Sequence, residues 1–91
     1  MVSKFVWIFV SASGRFPSAV YSDRESACRW IADMKLTGVL TKYPIDISVY
    51  DWAIEKGIFE PKKEEHFSAR FIGNFTSAGM EHFHFEDGVV G

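Results

Sequence analysis

The segment Lys4–Val10 most constrains the fold of this chain, because it is apolar on both of the faces that a β-strand presents. Successive side chains of a strand point to opposite faces, so one face would carry Phe5, Trp7 and Phe9 and the other Val6, Ile8 and Val10. Aromatic and β-branched residues are also the types favoured in strands. A strand that is apolar on both sides is typical of the covered interior of a sheet. The sequence therefore predicts a central strand.

A hairpin is predicted next. Ser11–Arg15 has turn composition around Gly14, and Phe16–Tyr21 has strand composition. Pro17 lacks the N–H that a sheet ladder requires, so the second strand is expected either to lie at an edge or to pair only from Ser18 onward.

The first helix has the clearest signals in the chain. Ser22 and Glu25 match a capping box, in which each side chain binds a free amide of the first turn. The helical spacing of an apolar stripe follows, and Gly38 provides a left-handed stop. The stripe consists of Ala27, Trp30, Ile31 and Met34.

The remaining elements are shorter. Val39–Tyr43 reads as a third strand, Ser48 and Gly57 bound a second helix, and Ser68 caps a short third helix. Glu81–Glu86 alternates polar and aromatic residues and predicts a last strand that Asp87-Gly88 ends. The predicted fold class is α+β: a small, mostly antiparallel sheet of about four strands packed by two to three helices, in the order ββαβα(α)β.

Composition limits the class of protein. The 91 residues, 47% hydrophobic and 16% aromatic, predict a single folded domain over residues 1–91. No apolar run is long enough to span a bilayer, and the start of the chain is a poor secretory signal. The single cysteine, Cys28, excludes an internal disulfide and favours a reducing cytoplasm.

The net charge of the chain indicates which class of partner it binds. The formal net charge of −2 and the pI near 5.9 argue against nucleic-acid binding, which requires clustered Lys and Arg. The basic pair Lys62-Lys63 is followed at once by Glu64-Glu65. A protein partner fits this balance of acidic and basic residues better than a nucleic acid does.

One constellation suggests a metal site. The strand period would place His82, His84 and Glu86 on one face, with His66 as a fourth ligand, and imidazole and carboxylate groups bind transition metals. The alternative is that Phe83 and Phe85 pack into the core and the polar residues form a solvated face. Metal or ligand binding is therefore our second hypothesis. The first hypothesis, a protein-binding domain, requires no cofactor.

Signals of catalysis are weak. Nucleophilic catalysis requires a nucleophile beside an oriented base, and Cys28 lies in a helix body, where a packed small hydrophobe is more common. The chain lacks a glycine-rich phosphate loop. We therefore expect no enzyme and assign no catalytic residues.

Surface residues suggest recognition instead. Tyr and Trp often anchor interfaces, and Tyr50 and Asp51 are expected to face outward from the second helix. The last strand adds a mostly acidic rim suited to a basic partner. The predicted partner-binding residues are Tyr50, Asp51, Glu81, His82, His84 and Glu86.

A set of segments spread over nearly the whole chain resembles a family of small stand-alone bacterial proteins that carry one domain of unknown function. The segments are Val6–Phe9, Gly14–Val20, Trp30-Ile31, Tyr43-Pro44, Val49–Ile54, Phe71–Gly73 and Glu81–His84. The resemblance implies no catalytic residues. In size, charge and aromatic content the chain is also similar to immunity proteins of bacterial polymorphic and contact-dependent toxin systems.

The preferred hypothesis is a non-enzymatic protein-binding domain, specifically an immunity protein that neutralises a cognate toxin encoded nearby by stoichiometric binding. A third hypothesis is self-association, in which Phe16–Val20 pairs as an exposed edge with a second copy. The sequence leaves the oligomeric state and the strand order open.

Overall fold

A computed structural model describes residues 4–91, so the first three residues of the predicted domain lie outside the described part. The fold is α+β, as predicted. Its elements are β1 (Phe5–Ser11), β2 (Pro17–Tyr21), α1 (Arg24–Asp33), β3 (Gly38–Pro44), α2 (Val49–Glu55), a 3-10 turn (Glu64–Phe67), α3 (Ala69–Gly73), β4 (His82–Glu86) and β5 (Val89–Val90).

The five strands form one antiparallel sheet in the order β2-β1-β3-β4-β5. Strand β1 lies inside the sheet, paired with β2 on one side and β3 on the other, which confirms its predicted central position. Strand β2, which begins with Pro17, is an edge strand, also as predicted.

The fifth strand is absent from the prediction. Asp87 and Gly88 have φ values of 50° and 85°, and two successive positive values are those of the tight type I′ turn. The two residues therefore do more than end β4. They reverse the chain so that Val89 pairs with Glu86 and Val90 with Phe85.

The main core lies between α1 and one face of the sheet, hereafter the core face. Ala27 and Ile31 of α1 are fully buried there, as the helical stripe predicts. Met34, predicted in the same stripe, is 61% exposed, because α1 ends at Asp33 and Met34 is its C-cap. Trp30 lies edge-on to Phe9, with ring centroids 5.6 Å apart. The core cluster consists of Trp7, Phe9, Ala27, Ile31, Leu40 and Phe85.

Both ends of α1 differ from the prediction. Asp23, not Ser22, is the N-cap: its carboxylate accepts a hydrogen bond of 2.8 Å from the Ser26 amide. The Ser26 amide and hydroxyl lower the pKa of Asp23, because they bind its ionised form. At the other end Lys35 takes the left-handed conformation, with φ of 54°, so Gly38 is free to begin β3.

A second cluster, hereafter the aromatic lobe, forms where α2, the 3-10 turn and α3 meet. Tyr50 is at its centre, with ring centroids 5.6 to 6.3 Å from those of three phenylalanines. Its hydroxyl donates a 2.8 Å hydrogen bond to the carbonyl oxygen of His66. The lobe consists of Tyr50, Phe59, His66, Phe71 and Phe75.

The molecule is elongated and thin. Its Cα extents are 45 × 31 × 19 Å. Since packed layers lie roughly 10 Å apart, the shortest dimension corresponds to one sheet and one layer of helix. No helix in residues 4–91 is long and apolar enough to cross a membrane.

Gly38 is required by close packing between β1 and β3. A Cβ atom there would lie 2.7 Å from Phe9 Cζ and 2.9 Å from Ser11 Cα, and nearer still to the Val10 carbonyl oxygen. We expect Gly38→Ala to lower the free energy of unfolding by about 2 kcal/mol or more, because backbone atoms must shift. At Gly73 an added Cβ meets nothing within 4 Å. The control Gly73→Ala should stabilise by up to about 1 kcal/mol. Urea denaturation measures both, and equal effects would contradict the packing argument.

The Tyr50 hydroxyl should stabilise the aromatic lobe. Replacing Tyr50 with Phe leaves the ring in place and removes the donor to the His66 carbonyl, which should cost about 1 kcal/mol. Tyr21 is also half-buried against an aromatic ring, but its hydroxyl makes no side-chain hydrogen bond within residues 4–91. Tyr21→Phe is therefore the control and should change the urea midpoint little. A larger loss for Tyr21→Phe would show that the hydrogen bond is not the cause.

Candidate functional site

The sheet face opposite to the core face, hereafter the open face, is formed by alternate residues of β1 to β4. The register places them side by side: Val6 pairs with Tyr43, Ile8 with both Val20 and Thr41, and Val39 with both Val10 and His84. Its residues are Val6, Ile8, Val10, Val20, Val39, Thr41, Tyr43, His82 and His84.

Exposure separates the two faces clearly. On the core face Phe9 and Leu40 are 1% and 0% exposed. On the open face Ile8 and its neighbours on β1 are only half-buried, and Val20 is 61% exposed. The sequence predicted that the central strand is covered on both faces. In the structure it is fully covered on one face only. Its second apolar face remains accessible to solvent.

A groove runs along one border of the open face, where Thr76–Ala78 and Met80 lie beside β3 and β4. Its volume is about 270 Å³. Met80 is 2% exposed and forms part of the wall. The other lining residues are Val39, Thr41, Tyr43, His82 and His84.

The two histidines of β4 lie on the open face, as the strand period predicts. Their ring centroids are 5.4 Å apart. His82 Nδ1 lies 2.8 Å from the carbonyl oxygen of Met80, and because a carbonyl oxygen only accepts, Nδ1 is the donor of this hydrogen bond. Glu86 follows on the same face of β4 and is exposed.

His66, proposed from the sequence as a further metal ligand, has other contacts. Its Nδ1 accepts hydrogen bonds of 3.0 and 3.2 Å from the amides of Lys62 and Lys63. Its ring packs on Phe59 and Phe71 in the aromatic lobe. Within residues 4–91 no three His, Cys, Asp or Glu side chains are grouped so as to hold a metal ion. The structure thus places His66 with the lobe, apart from the adjoining pair His82 and His84.

The predicted partner-binding residues divide in two. The expectation that Tyr50 faces outward is wrong: it is 7% exposed and belongs to the aromatic lobe. Asp51 is exposed, and its amide and carboxylate both bind the Ser48 hydroxyl at 3.0 Å, which caps α2. Sequence reasoning could not separate these neighbours, because the pattern does not show which side of α2 the lobe covers.

On β4 and just before it, the predicted residues Glu81, His82, His84 and Glu86 are all exposed. Glu81 is 4.0 Å from both Arg24 and Lys42, a distance at which exposed ion pairs contribute little. These carboxylates and imidazoles are therefore accessible to a partner.

Groups that could act as nucleophiles occupy structural positions. Cys28 is half-buried against the core, in a depression of about 360 Å³ that Arg24, Arg29 and Phe83 also line. The hydroxyls of Ser48 and Ser68 cap α2 and α3. The buried indole N–H of Trp52 has no hydrogen-bond partner within residues 4–91.

The apolar part of the open face is the surface that sequence reasoning missed. The signal was present in the alternation of β1, where Val6, Ile8 and Val10 occupy the second face. Val20 extends it onto the edge strand. Alternation assigns a residue to a face, but it does not show whether a helix covers that face.

Of the comparisons with known proteins, the comparison with protein families gave a match. No match was found among curated proteins or among solved structures. Residues 6–91, which include every helix and strand except the first residue of β1, match the family described as "Domain of unknown function (DUF7710)". The resemblance to a domain-of-unknown-function family is thereby confirmed, and the chain belongs to the DUF7710 family.

Proposed function

We propose that this chain is a non-enzymatic protein-binding domain and that the open face is its docking surface. The observation that carries the proposal is the contrast between the two apolar faces of β1. One is buried by α1, whereas the other is only half-buried.

The area around β1 supports a docking role. Val20 extends the half-buried valine and isoleucine side chains to the edge of the sheet, and at 61% exposure it contacts little of its own chain. Contiguous apolar patches on a folded surface mark sites of association, whereas isolated apolar residues are ordinary. Burying this patch against a partner would be favourable in proportion to the apolar area removed from water.

The rim of the open face supplies polar specificity. Glu86 is exposed on the same face of β4 as the two histidines, and Asp87 is exposed in the turn that follows, whereas Glu81 faces Arg24 and Lys42 on the core side. In the immunity-protein form of the proposal, the carboxylates of Glu86 and Asp87 meet a basic surface on a toxin domain encoded nearby, and the apolar face supplies the contact area. The support for that form is the acidic rim and the net charge of −2. A cytoplasmic location accords with the single cysteine, since a reducing compartment keeps it free.

A photo-crosslinking residue at position 20 should capture a protein partner in the native host. Val20 and Met34 are both 61% exposed, but Met34 follows α1 on the covered side of the sheet. A crosslinker at position 34 is therefore the matched control. We expect one dominant adduct from position 20, identified by mass spectrometry, and a much weaker one from position 34.

Two outcomes would count against the proposal. Equal labelling from both positions would mean that the open face has no preferred partner, and no adduct from either would remove the basis for a docking surface. A toxin-like adduct that Glu86→Lys abolishes would support the immunity form. The same adduct unaffected by that change would exclude a role for the rim.

A further inference from the structure

We propose that His82 and His84 together bind one zinc ion on the open face of β4. Such a site does not depend on the docking function, and it uses only two of the four ligands that the sequence suggested. His66 is held by other contacts in the aromatic lobe. Glu86 is two strand positions beyond His84 and four beyond His82, which places it at the far end of β4.

The ring of His82 is oriented by the backbone. Its Nδ1 donates a hydrogen bond of 2.8 Å to the carbonyl oxygen of Met80, so the neutral imidazole carries its lone pair on Nε2. Histidines that bind metals commonly donate their other ring N–H to a backbone carbonyl, which fixes both the tautomer and the direction of the ligating nitrogen. His82 therefore makes the supporting contact that is typical of a metal ligand.

The separation of the two rings fits a tetrahedral ion. Zn–N bonds are about 2.0 to 2.1 Å long, so the metal lies about 3.2 Å from each ring centroid, and tetrahedral ligands have centroids about 5.2 Å apart. The centroids of His82 and His84 are 5.4 Å apart. Adjacent ligands of a square-planar ion would have centroids about 4.5 Å apart. The observed separation thus favours zinc over copper(II).

The backbone on both sides of β4 holds the two histidines in place. Thr41 and Val39 of β3 pair with His82 and His84. On the other side the carbonyl of His84 accepts a hydrogen bond of 3.0 Å from the Gly91 amide. Side chains on such paired strands are positioned more precisely than side chains on loops. Zinc binding would therefore require little ordering of the backbone.

The surroundings of the two rings suit a cation. Lys42 and Arg24 lie beside β4, but they place their charges over the rings of Phe5 and Phe83 on the core face. Glu86 is exposed on the same face as the histidines, and its charge attracts a cation. A tetrahedral ion with two protein ligands keeps two positions for water. Both rings line the groove of about 270 Å³, which has room for these waters.

Zinc titration of the intact chain, followed by calorimetry and by NMR of the histidine rings, tests the site. We expect one equivalent of Zn²⁺ to bind with a dissociation constant on the order of 10 µM, far weaker than a four-ligand site. Long-range ¹H–¹⁵N spectra should show a shift at Nε2 of His82 and at one ring nitrogen of His84. The His66 ring should not shift, because its Nδ1 accepts hydrogen bonds from backbone amides.

Three variants identify the ligands. His82→Ala and His84→Ala should each weaken zinc binding at least about tenfold, because one ligand is left where two had acted together. Both positions are exposed, so both variants should fold, which circular dichroism checks. Glu86→Gln is the matched control on the same face of β4. It removes a charge but no ligand, and it should change the dissociation constant by less than about threefold.

Three results would overturn the site. The first is no zinc binding at about 1 mM, since that limit is far above the expected dissociation constant. The second is binding that survives both alanine substitutions, or zinc shifts at the His66 ring instead of at the β4 histidines. The third is a loss on Glu86→Gln as large as on His82→Ala, which would mean that a carboxylate holds the ion. Crosslinking from position 20 is a separate readout, so the docking proposal stands or falls independently.

Discussion

Strand β1 pairs with β3 over seven consecutive positions, from Phe5 opposite Pro44 to Ser11 opposite Gly38, and β2 occupies its other side. This register determines which side chains share a face, because a slip of one residue would move them all to the opposite face. The core face then receives α1 through its two fully buried residues, Ala27 and Ile31. The close approach at Gly38 and the composition of the open face both follow from the same pairing.

The sequence predicted this part of the fold because each signal acts locally. Alternation gave the central strand, helical spacing gave α1, and Ser48 and Ser68 cap α2 and α3 as expected. The predictions for the two ends of α1 were wrong because, at each end, two residues of the sequence could take the same role. Asp23 replaced Ser22 as the cap, and Lys35 rather than Gly38 adopted the left-handed conformation. Strand β5 has only two residues, too few for a periodic signal.

The candidate site was predicted less completely, because burial by distant segments leaves no local pattern. Neighbouring Tyr50 and Asp51 looked alike from the sequence, yet the phenylalanines that bury Tyr50 come from residues 59, 71 and 75. His66 was grouped with the histidines of β4 by chemical type, whereas backbone amides within its own loop hold its ring. Period 2 placed His82 and His84 together correctly, because that relation lies within one strand.

The open face keeps apolar area in contact with water, so folding alone gains little from these side chains. A small domain buries a limited share of its surface. Polar residues in place of Val6, Ile8 and Val10 would keep the same strand register and the same core face, and they would leave less apolar surface in water. The aromatic lobe packs its own side chains around Tyr50 instead of supplying a second full layer over the sheet. A binding partner would bury this face and stabilise the folded state by mass action. The docking proposal therefore accounts for the apolar residues of the second face, which folding alone leaves half-buried.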